Sequence, residues 1–75
     1  MTDAPLTRYS PHRVAALTGL PDPTAIVCPE RLERLARAAE HRLETLAPDA
    51  PLRLKVAASE YARLAEWRLE HPEQL

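Results

Sequence analysis

Reactive side chains are scarce in this sequence, and their spacing gives them little to do together. Cys28 is the only cysteine, so it has no second thiol for a disulfide within the chain or for a zinc site. As a nucleophile it would need a helix start to lower its pKa and a histidine as base. A buried small hydrophobe is the plainer expectation for it. His12, His41 and His71 fall on three different elements, with no Cys, Asp or Glu spaced to converge with them on a metal. They are expected as solvent-facing residues, His71 also as a cation at the end of a helix. Gly19 is the only glycine, which excludes a phosphate-cradling glycine loop. The carboxylates alternate with arginines at ion-pair spacing, as on a solvated helix face, and do not form an acid-base pair. The expectation is a protein that is not an enzyme and holds no metal or cofactor.

The residue types that remain suit contact with another protein. Tyr61 and Trp67 lie near Arg63 and Arg68, and such side chains are enriched where interfaces concentrate their binding energy. Trp67 falls beside the apolar stripe of its helix. Two arrangements fit that position: an exposed partner contact, or a ring lying partly on the core with Arg63 stacked across it.

The elements that must position these residues are marked by proline. Residues 1–9, with Pro5 and no sustained period, read as an N-terminal arm that orders only when something holds it. Residues 10–75 form a single helical domain, with helices expected at about 10–18, 29–47 and 51–70. Ser10-Pro11 writes a helix start, with Ser as N-cap and Pro in the first turn, and Gly19 writes its stop. Val14, Leu17 and Ala15 or Ala16 should face inward, His12 and Arg13 outward. Leu20-Pro21-Asp22-Pro23 forces a turn, after which Thr24 to Val27 has room for one helical turn with Ile26 and Val27 tucked beneath the helices.

From Pro29 onward Leu32, Leu35, Ala36, Ala39, Leu43 and Leu46 recur at steps of three and four, one buried stripe on a helix. Glu30 with Arg34, and Glu33 with Arg37, support its solvated face by about 0.2–0.5 kcal/mol per pair. Pro48-Asp49-Ala50-Pro51 breaks the chain, with Asp49 or Ala50 as the next cap. In the last helix Leu54, Ala57, Ala58, Tyr61, Leu64, Ala65 and Leu69 form the inner stripe. Arg53, Lys55, Glu60, Arg63, Glu66 and Glu70 are assigned outside, and His71-Pro72 ends it. The fold class expected is all-α: a short N-terminal helix followed by a long antiparallel helical hairpin, because so short a break makes its flanking helices neighbours.

Composition narrows the function classes. A chain of 75 residues sits near the size at which one core barely offsets the entropy lost on folding, so help from a partner is expected. Ten basic and eleven acidic residues leave a net charge of -1, with no overall field to draw in nucleic acid or an anionic membrane. Met1 to Pro5 lacks the basic and then apolar run of a secretory signal, and no stretch approaches the roughly 20 apolar residues of a membrane span. A soluble protein in a reducing cytoplasm is expected.

The run Tyr9-Ser10-Pro11-His12-Arg13-Val14-Ala15-Ala16-Leu17-Thr18-Gly19-Leu20 resembles the first helix and turn of the helix-turn-helix in excisionases and similar regulators. A recognition helix with basic side chains should follow. Here Pro21-Asp22-Pro23-Thr24-Ala25-Ile26-Val27-Cys28-Pro29 follows, with interrupting prolines, an acid and no base.

The same N-terminal run through Pro21, then Leu35 to Glu44, then Pro51 to Ala62, together resemble the head-tail connector (adaptor) family of tailed bacteriophages. The likeness spans most of the chain, although family members usually carry an extended loop between the long helices where this chain has only Ala47 to Pro51. The resemblance implies a structural virion protein at the head-tail interface, assembled in the host cytoplasm. It implies a head-to-tail homo-oligomeric ring beneath the portal, contacting portal and tail or stopper proteins, with DNA only as passing cargo. Tyr9, Trp67, Arg68 and His71 are the residues expected to bind partners. A small DNA-binding regulator and a general helical interaction module are the alternatives.

Overall fold

The computed structural model describes residues 7–71, and among these the chain is all-helical, with no strand. Three α-helices, α1 (Pro11–Thr18), α2 (Pro29–Thr45) and α3 (Leu52–Glu70), are joined by a link that contains a 3-10 turn at Pro23–Ala25. Residues 1–6 of the expected arm and residues 72–75 of the expected domain lie outside the described residues.

α1 starts and stops where its sequence directs. The Ser10 hydroxyl accepts from the Arg13 N–H at 3.2 Å, a cap that contributes about 1 kcal/mol, and Pro11 occupies the first turn. Gly19 ends the helix at φ 71, the left-handed conformation that a side chain resists, and its N–H bonds to the Ala15 carbonyl at 2.9 Å. The expected turn after Pro21 is shorter than a full helical turn. Asp22 Oδ1 accepts from both the Thr24 N–H and its hydroxyl, at 2.9 and 2.7 Å, which closes the chain locally over three residues. Beyond it Ile26 is extended, at φ -95 and ψ 130, so consecutive side chains point oppositely. Ile26 is buried, whereas Val27, expected beneath the helices, is 66% exposed.

α2 ends at Thr45, two residues short of the expected Ala47, with the Thr45 hydroxyl bonded back to the His41 carbonyl. α3 takes Pro51 at its cap position, not Asp49 or Ala50, and has no side-chain cap bond. Lys55 instead reaches back to the Pro48 carbonyl at 3.2 Å and ties the start of the helix to the preceding turn.

The core is built on α3. Val14 of α1, Leu32, Ala36 and Ala39 of α2, Ile26 of the link, and Tyr61, Leu64 and Ala65 of α3 form one buried cluster. Both α2 and α1 make their main contacts with α3. Ala36, Ala39, Ala57, Ala58 and Ala65 are small side chains buried in these helices. The inner stripe of α3 is as expected over Ala57, Ala58, Tyr61, Leu64 and Ala65. On α2 the stripe fades toward its end, where Leu43 is 39% exposed.

Candidate functional site

Glu60, assigned by its charge to the solvated face, is instead 5% exposed. It lies under the segment that enters α1: Oε1 accepts the Arg8 N–H at 2.7 Å and Oε2 is 3.4 Å from the Tyr9 nitrogen. A carboxylate pairs well with consecutive backbone amides, which cannot be satisfied by helix before α1 begins. The carboxylate thus fixes residues 7–9 of the expected arm against α3, with the Thr7 hydroxyl bonded to the Tyr9 carbonyl. The half-buried Tyr9 ring packs on the core, and the Arg13 guanidinium lies 5.4 Å from its centroid, within cation-π range.

At the far end of α3 the His71 ring stacks on Trp67, with centroids 5.2 Å apart and planes 25° from parallel. Nδ1 of His71 is 2.9 Å from the Trp67 carbonyl, which also accepts the His71 N–H at 3.1 Å, so Nδ1 carries a proton. Arg68, expected at a partner surface, is 2% exposed. Its position next to Leu64 and Ala65 turns it inward, and Nη1 donates to the His71 carbonyl at 3.0 Å, closing the last turn of the helix. Trp67 Nε1 and Arg68 Nε are buried and meet no hydrogen-bond acceptor among the described residues.

Glu60 and Trp67 are seven residues apart and share one face of α3, and the His71 ring stacks on Trp67 just past the end of the helix. Glu60 binds the Arg8 N–H and so sets the Tyr9 backbone against the same helix whose end carries two more of the four predicted contact residues, Trp67 and His71. All three are half-buried. Arg68 is not brought to that surface. No signal in the sequence marked Glu60, since both of its amide partners lie more than fifty residues away along the chain.

Comparison with protein-family models, curated proteins and solved structures yields no match.

Tyr61 is fully buried, and its hydroxyl donates to the Pro21 carbonyl, tying α3 to the link. Burial pushes its pKa up to about 12; Asp22 adds to the rise and Arg31 opposes it. It is therefore neutral at physiological pH and serves as a donor, not a base. Cys28 is exposed just before α2 and not buried, because the extended link carries it clear of the core. His12 and His41 are exposed, as expected. Among the described residues no three His, Cys, Asp or Glu side chains group as a metal site, and no helix is long and apolar enough to cross a membrane.

Where a helix-turn-helix would place its recognition helix, residues 20–28 hold only the 3-10 turn. No groove-reading element follows α1 directly.

Proposed function

We propose that this chain acts by docking on other proteins, as a connector subunit between the head and tail of a tailed bacteriophage. The observation that carries the docking role is the aromatic side of α3, with Trp67 and His71 stacked at its end and Tyr9 under Arg13 beside its middle, all three half-buried. Rings that are packed on one edge and open on the other lose little entropy when a partner covers them, which suits them as anchors. The connector assignment is supported by the sequence resemblance and by the small core, which gains from burial against neighbours.

In this reading α2 and α3 fold back as an antiparallel hairpin, for which the short link of residues 46–51 and their extensive mutual contact speak. Copies assemble head to tail into a ring on the portal, extend the channel, and meet tail or stopper proteins below, with DNA passing as cargo. A closed ring of this kind repeats one heterologous contact around the axis. The near-balanced charge fits protein contacts better than tight DNA binding.

The test is light scattering and co-sedimentation with the portal protein of the same phage. With portal present the parent chain should form a ring-sized species bound to it, and Trp67→Ala should lose both ring and portal binding while keeping its helical circular dichroism. Unchanged ring formation and portal binding in that variant would remove Trp67 from the assignment. A salt-dependent shift with duplex DNA, with no portal binding, would favour the regulator instead.

A further inference from the structure

A different side of α3, roughly a third of a turn from the Trp67 strip, carries Leu52, Lys55, Ser59, Ala62, Glu66 and Leu69 at helical steps of three and four. None of the six is fully buried, and Leu52 is 66% exposed. Their order reads the same in both directions once a basic residue is exchanged for an acidic one and the small Ser59 and Ala62 are counted as alike. Leu52 with Leu69, Lys55 with Glu66, and Ser59 with Ala62 are each centred midway between residues 60 and 61.

We propose that two copies of this chain pair along this stripe, their α3 helices antiparallel about a two-fold axis level with residues 60 and 61. In that register Leu52 of each copy meets Leu69 of the other, and Lys55 meets Glu66. Ser59 and Ala62 lie nearest the axis, where small side chains let the two backbones close. Each contact occurs twice, as an isologous interface requires.

Charge complementarity selects a second copy as the occupant. At the Leu52 end a groove of about 730 Å³ is lined by Leu43 of α2 with Lys55, Ser59 and Arg63 of α3. The one carboxylate lining it, Glu60, already accepts from backbone N–H groups. At the Leu69 end a groove of about 230 Å³ is lined by Glu33, Glu40 and Glu66, with Arg37 as its one cation. Two-fold pairing lays the basic groove of each copy on the acidic groove of the other. The parallel arrangement would bring like charges together at both ends. The two grooves border the same stripe of α3, and this geometry closes as a pair, whereas propagation into a ring needs complementary patches on opposite sides. The pairing rests on none of the residues of the aromatic side and is independent of the connector reading.

The experiment is sedimentation velocity and light scattering on the full chain across a concentration series, in low and high salt, without any other protein. The parent should approach twice the monomer mass, and salt should weaken the pair. Lys55→Glu and, separately, Glu66→Lys each create two like-charge contacts and should weaken dimerisation by about tenfold or more, equivalent to about 1.4 kcal/mol. The double variant restores opposite charges and should recover the parent mass. Circular dichroism checks that each variant is folded, and Glu66, exposed and away from the Lys55 tie to Pro48, guards against a folding defect in Lys55→Glu. A folded chain that stays monomeric at every concentration, an assembly indifferent to either reversal, or a double variant no better than the singles would each overturn the pairing.

Discussion

Replacing Glu60 with Ala should detach the chain before α1 and destabilise the whole fold by about 2 kcal/mol. The magnitude follows from the two contacts of the carboxylate. The bond from the Arg8 N–H, at 2.7 Å, is in the short range of charge-assisted bonds, which contribute about 1.5–3 kcal/mol each. The Tyr9 nitrogen, at 3.4 Å, is beyond the usual limit of about 3.2 Å and adds little. Removing the carboxylate also removes the cost of having buried it, which holds the sum toward the lower part of the range. For a domain of this size the melting temperature should fall by about 8–16 °C. Thermal denaturation gives the global value, and amide hydrogen exchange at Arg8 and Tyr9 gives the local one. Glu60→Gln keeps one acceptor oxygen and should lie between parent and Ala. A Glu60→Ala cost below about 0.5 kcal/mol, or equally fast exchange of the Arg8 amide in parent and variant, would refute this role for Glu60.

Tyr61 makes stability depend on alkaline pH. Its folded pKa of about 12 lies above the ordinary 10.0, so its contribution is complete below pH 10 and is lost as pH rises toward 12. The loss should reach about 2–3 kcal/mol across that window, and urea titrations of the parent and Tyr61→Phe at pH 9 and pH 11.5 should show a slope only in the parent. Gly19→Ala should cost about 1 kcal/mol through its left-handed backbone alone, since a Cβ there meets nothing within 4 Å. In chemical denaturation Gly19→Asn should therefore be milder than Gly19→Ala.

Local grammar was legible wherever a residue's role is completed by near neighbours. Ser10-Pro11 and Gly19 bound α1 because caps are satisfied within four residues, and the stripe on α3 followed from spacing alone. The misread positions depend on distant chain. Glu60 was assigned to the solvated face because its amide partners sit at the other end of the sequence, and nothing local announces the wrapping that buries Arg68. Leu43 and Val27 kept the apolar pattern of buried residues, yet no element among the described residues covers them. Of the predicted contact residues, His71 meets Trp67 by stacking at the helix end, and Tyr9 is set against α3 through the Glu60 bond to the Arg8 amide. The sequence had no means to reveal that link before the N-terminal segment was located.

The dominance of α3 in the packing has a consequence for how mutations combine. Helices α1 and α2 each lie against α3 far more than against one another. Paired substitutions, one in each of the outer helices, should therefore have nearly additive energies, while either one combined with a change in α3 should show coupling. Sequence drift in the two flanking helices can then proceed separately, with the third acting as the shared reference that both must continue to fit.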